Sequence, residues 1–185
     1  GMGLEGLVRG QRLRIGRQAL TLGKGWLVCE MLTPTQRLSF DGFRLTYDVP
    51  EWSVDAFAYK LTDRSPNEQD GDTDFYGVYA TYKALEPIDI SAYWYWLRDA
   101  RSVNDTNFFW LAEWAENVVG VDDYDTTNLH TIGMRANGKS AGFDHDLELA
   151  YQFGDADVVG GGFVPNGLIY GDDSAEFDAL AGDFT

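Results

Sequence analysis

Along Gly142–Phe153, GFDHDLELAYQF, polar and apolar residues take strict turns. Asp144, Asp146, Glu148, Ala150 and Gln152 hold one parity; Phe143, His145, Leu147, Leu149, Tyr151 and Phe153 hold the other. Successive side chains on opposite sides mark a β-strand with one wet face and one oily face. The pattern leaves open which face points inward. In a soluble sandwich the oily face is the core. In an outer-membrane barrel it meets lipid, and the carboxylates line a lumen.

Runs of the same kind recur: Arg12–Gln18, Arg37–Val49, Trp52–Leu61, Asp74–Lys83, Ile88–Arg98, Asn128–Ala136 and Gly161–Gly171. With the opening stretch that makes about eight strands, and Gly25–Met31 (GWLVCEM) is a candidate ninth. Parity breaks near Phe40–Phe43, where Gly42 is expected to mark a bulge. No stretch of about 18 apolar residues occurs, which excludes a transmembrane helix but not a barrel, whose strands alternate and escape hydropathy scans.

The connections sharpen the choice. DVPEW, KALEPID and ANGKSAG are tight, whereas Thr62–Asp74 and the stretch 99–127 are long and polar. Short and long links in alternation belong to a meander barrel with turns on one rim and loops on the other. The chain is therefore expected to be all-β, one antiparallel barrel domain over residues 1–185, or part of a larger barrel, with 99–127 inserted as a long loop. Inside that loop, Phe108, Leu111, Ala112, Ala115 and Val119 recur at helical spacing behind Asn107 as a cap. A short helix there, with Phe108, Leu111 and Trp114, is a candidate constriction of a pore mouth.

Charge narrows the partners. Thirty acidic residues against 14 basic ones leave a formal charge of −16, which argues against nucleic acid and against a basic membrane-surface helix. Aromatic residues make up 15%, too many for a disordered acidic chain. Trp52, Tyr59, Tyr76, Tyr82, Trp94, Trp96 and Tyr151 lie near strand ends, as interfacial girdles would. Cys29 is the only cysteine, so it forms no intrachain disulfide and reads as a small apolar strand residue.

FDGFRLTYDVPEWSVDAFAYKLTD, DFYGVYATYK, YWYWLRD, NLHTIGMRANGK and GFDHDLELAYQFG, in this order, resemble the alginate-export family of bacterial outer-membrane porins. The resemblance implies a large antiparallel barrel in the outer membrane of Gram-negative bacteria, passing anionic sugar polymers or other small solutes. It also implies a pore lined partly by arginine. By strand position and parity, Arg12, Arg14, Arg44 and Arg135 are the candidates, with Arg98 marginal at a strand end. Asp144, Asp146 and Glu148 share the polar parity and complete the expected lining. The family's barrels are roughly twice this length. With the mid-pattern start after GMG and the non-aromatic end AGDFT, a fragment or shortened member without its targeting segment is expected.

Other chemistry is not expected. Asp144, Asp146 and Glu148 lack an evident apolar pocket to raise one carboxyl for glycoside hydrolysis. DDYDTTN (Asp122–Asn128) is at most a loose calcium loop without EF-hand spacing, and His130 and His145 lack second ligands nearby in sequence. No P-loop, dinucleotide or nucleophile-elbow fingerprint occurs. No catalytic residue, metal or cofactor is proposed. The expected function is passive diffusion through a polar lumen, with outer-membrane lipid and a small or polysaccharide solute as partners. The alternatives are a soluble β-barrel or sandwich that binds carbohydrate through exposed Trp and Tyr, and a segment whose oily face pairs with a second copy.

Overall fold

The computed structural model of the chain describes residues 2–5, 10–29, 31–33, 36–62, 73–99, 126–140, 142–157 and 174–185. All regular structure in them is β, and no helix occurs among the described residues. The strands are β1 (Met2–Glu5), β2 (Gln11–Gln18), β3 (Met31–Thr33), β4 (Gln36–Arg37), β5 (Phe40–Asp48), β6 (Trp52–Thr62), β7 (Thr73–Tyr82), β8 (Ile88–Asp99), β9 (Thr127–Ser140), β10 (Phe143–Asp157) and β11 (Ser174–Phe184). β3 and β4 form a small hairpin of their own. The other nine make one antiparallel sheet in the order β1-β2-β5-β6-β7-β8-β9-β10-β11, a meander with β1 and β11 as its edges. Links at one end of the strands are short, those at the other long, as the turn chemistry predicts. β6 to β11 run 10 to 15 residues each, long enough for a tilted strand to cross a bilayer.

The sheet is curled. Seven strand spacings separate β2 from β11, which laid flat at about 4.8 Å each would span about 34 Å. The six residues from Gln18 to Lys24 reach about 21 Å fully extended, and a lysine side chain adds about 6 Å. Lys24 nevertheless hydrogen-bonds Asp183 on β11. The two ends of the meander must therefore approach each other across one face, as in the wall of a barrel.

Register fixes which residues share that concave face. Arg14 stands opposite Arg44, Arg44 opposite Phe57, Phe57 opposite Gly77, Gly77 opposite Tyr95, and Tyr95 opposite Thr131. Arg135, Glu148 and Asp183 follow in a neighbouring row. The opposite parity is oily and exposed. Of the nineteen large apolar side chains exposed among the described residues, all but Leu27, Leu85 and Phe177 sit on the convex face, Ile132, Met134, Leu147 and Leu149 among them. Soluble monomers rarely expose apolar patches beyond a few hundred Å². The oily face of β10 is thus not a core; it is the outside.

That band is bounded. The row Arg17, Asp41, Lys60, Asp74, Arg98 and Asn128 crosses the convex face at the long-loop end, with ion pairs Arg17–Asp41 (2.7 Å) and Arg98–Asp74 (3.7 Å). Just inside it lie Tyr76 and Trp96, ring centroids 5.1 Å apart, and His130 stacked on Trp94, Trp96 and Phe153. At the short-turn end Trp52 packs on Tyr82 at 4.7 Å. The eight residue steps from Trp52 to Lys60 cover about 26 Å along the strand, or about 20 Å of height at a barrel strand's tilt of about 40°, the scale of the ~25 Å apolar belt of an outer-membrane barrel.

Three expectations change. Within GWLVCEM, Gly25–Cys29 is not a strand and Met31 already belongs to β3: Thr21–Cys29 turns back on itself, with Gly25 N–H donating to Leu22 O and Leu22 N–H to Val28 O. No bulge occurs at Gly42, since β5 keeps register on both sides. Parity looks broken there because Phe40 is an aromatic residue on the concave face, packed against Tyr59 at 6.3 Å. Arg98 belongs to the convex face and is not a lining residue. The strand expected at 161–171, the helix within 99–127 and most of the Asp122–Asn128 loop lie outside the described residues.

Candidate functional site

The concave face carries two charged clusters joined by aromatic rings. In the first, Arg44 donates from Nε and Nη2 to the two carboxylate oxygens of Asp55, each at 2.8 Å, and the Thr46 hydroxyl donates to Oδ1 at 2.5 Å. The tight DVPEW turn sets this meeting, because it puts Thr46 directly opposite Asp55. In the second, Arg135 reaches across to β10 and donates Nε to Asp146 Oδ1 at 3.0 Å and Nη2 to Oδ2 at 2.5 Å. Glu148 Oε2 lies 3.9 Å from the same Nε, and Tyr93 Oη donates to Glu148 Oε1 at 3.0 Å. Bidentate pairs of this kind fix both side chains in place.

Between the clusters runs a chain of rings. Tyr79 stacks on Tyr93 (5.7 Å), Tyr93 on Tyr95 (4.7 Å), and Tyr95 meets Phe75 and Phe57 at 5.7 and 6.2 Å. Glycines make room for them. A Cβ at Gly133 would fall 2.2 Å from Tyr93 Cζ, so only glycine lets the ring lie flat on β9. Gly133→Val should displace Tyr93, break its bond to Glu148 and cost about 1–3 kcal/mol, read as a lower denaturation midpoint of the folded chain.

These rings are buried because the segment Ala19–Cys29 lies over them. Leu20 and Leu22 are buried against Phe57, Tyr59, Tyr79, Tyr93 and Tyr95, with Trp26 and Val28 packed beside them. Gly23 adopts φ +57°, and a Cβ there would come within 3.0 Å of Tyr79 Oη. Lys24 is the polar anchor, bonded to Asp183 and 3.7 Å from Asp146. A cavity of about 170 Å³ remains between Leu27 and Val28 of the segment and Phe75, Tyr95, Thr131 and Gln152 of the wall. The Asp183 hydrogen bond holds the Lys24 ammonium above its ordinary value of 10.5, aided by attraction from Asp146, Asp183 and Glu148 and opposed by desolvation.

The expected lining residues Arg12, Arg14, Arg44, Arg135, Asp144, Asp146 and Glu148 all fall on the concave face by register. The structure gathers Arg135, Asp146 and Glu148 into one cluster and sets Arg44 apart with Asp55. Arg12 and Arg14 are exposed on β2, and Asp144 is exposed at the short-turn rim beside Lys139 (3.1 Å). Phe108, Leu111 and Trp114 lie outside the described residues. Sequence reasoning missed Asp55, Tyr93, Lys24 and Asp183. Asp55 was within reach, as a lone acid mid-strand whose partner follows from the turn. Lys24 was not, because nothing local says that its loop folds inward. Among the described residues no cluster of His, Cys, Asp or Glu has the makings of a metal site.

An oily convex face, a polar and ion-paired concave face and aromatic rows at the edges define the wall of a transmembrane β-barrel. The chain belongs to the alginate-export family, whose family model, described as "Alginate export", matches residues 3–174. That family is one of outer-membrane export proteins, a transport family and not an enzymatic one. No curated protein and no solved structure matches the chain.

Proposed function

We propose that the chain forms the wall of an outer-membrane pore through which small or carbohydrate solutes pass by passive diffusion. Arg12, Arg14, Arg44, Arg135, Asp144, Asp146 and Glu148 face its lumen, and the segment Ala19–Cys29 narrows it from within. One observation carries the reading: the ion pairs Arg44–Asp55 and Arg135–Asp146 lie on the concave side while the oily parity is exposed on the convex side. In water such an arrangement is inverted, since each large apolar side chain left exposed forgoes about 1.5–3 kcal/mol. Against hydrocarbon it is the stable one. The test is reconstitution of the folded chain into planar bilayers. Discrete current steps are expected; a folded, inserted chain that carries no current would remove the pore.

A further inference from the structure

Arg44, Arg135 and Lys24 are held by carboxylates of the concave face. Asp55 occupies the guanidinium fork of Arg44, Asp146 that of Arg135, and Lys24 sits between Asp183 and Asp146. A fork closed by a bidentate carboxylate has that edge occupied and its charge offset by the partner, so it draws a passing anion far less than a free guanidinium would. Arg14 forms no ion pair among the described residues and stands directly opposite Arg44. Across β2 to β11, register puts five basic residues on this face, Arg12, Arg14, Arg44, Arg135 and Lys139, against eight acidic ones running from Asp48 on β5 to Asp183 on β11. Lys24 and Lys83, reaching in from the connections, leave one acid in excess.

We infer that this face admits cations and neutral solutes in preference to anions, and that Asp55 and Asp146 set the preference by closing the arginine forks. The inference rests on the pore reading and deepens it. The field of a paired guanidinium falls off as that of a dipole, so the net charge of the face decides the sign inside the lumen. The chain's formal charge of −16 acts in the same direction at the mouths, over a screening length of about 8–10 Å.

The experiment is the reversal potential of the reconstituted full chain under a KCl gradient. Potassium should permeate at least about twofold over chloride. Asp55→Asn with Asp146→Asn frees both forks and should lower that ratio about fivefold. Because the double variant also loosens the segment over the rings, Arg14→Glu serves beside it: it leaves every ion pair in place and should raise the ratio. A chloride-preferring unmodified channel overturns the inference while leaving the pore. Ratios unmoved by both variants overturn the assignment to these residues. A folded chain without conductance overturns the pore reading and this inference with it.

Discussion

Ile132→Arg should leave the chain unable to hold its folded form in a bilayer. Ile132 projects from the convex face of β9 in the row of Ala56, Val78, Trp94 and Tyr151, midway between Asn128 of the charged row and Ala136 in the row of the Trp52–Tyr82 pair, and is half exposed at 44%. An arginine at the midplane of an outer-membrane barrel costs about 2–4 kcal/mol, falling toward zero near the interfaces. Moving the same substitution to Asn128, in the polar row, should therefore be tolerated. The measurement is the fraction of chain that migrates as a compact, heat-modifiable form after folding into lipid vesicles. Equal loss at both positions would show that depth in a membrane is not what matters.

Lys24→Glu should raise the conductance of the reconstituted channel severalfold. The substitution replaces an ammonium bonded to Asp183 and close to Asp146 with a third carboxylate. The apolar seat of Leu20 on the tyrosines remains, so the chain still folds while the part of the segment from Lys24 to Cys29 swings away from the wall. Lys24→Gln removes the attraction without adding repulsion and should fall between the two. The same anchor has a pH signature. Because the folded-state value of Lys24 lies above 10.5, its contribution is complete below that pH and is lost only as pH rises through the raised value. Current should accordingly stay level from neutral pH to that limit and increase beyond it. Unchanged conductance in Lys24→Glu would mean that the segment does not narrow the path.

Alternation made most of the wall legible in advance. β5 to β10 were readable because the convex parity of each is mostly apolar, and the tight turns between them set the register that pairs Thr46 with Asp55 and Arg135 with Glu148. β11 was harder. Its convex positions hold Glu176, Asp178, Leu180, Gly182 and Phe184, too mixed to show a face. The inward segment was misread for a physical reason. Leu20, Leu22, Trp26 and Val28 are apolar because they pack over the rings of Phe57, Tyr79 and Tyr95, and an apolar run of that kind looks like a strand until its partner is known. The rings themselves obscured parity in β6, where Phe57 and Tyr59 share a face with Asp55. An aromatic residue on the lumen side breaks the simple rule of oily outside and polar inside.

The orientation of the oily face is the central claim, and spin labels walked along β10 from position 146 to 153 test it most directly, with Cys29 replaced by Ser. In lipid vesicles, collision with dissolved oxygen should peak at 147, 149, 151 and 153 and dip at each position between, with the water-soluble nickel reagent excluded from the odd series. Odd positions shielded from both reagents would mean that the oily face is packed against protein, as a core or a second copy, and the barrel wall described here would be wrong.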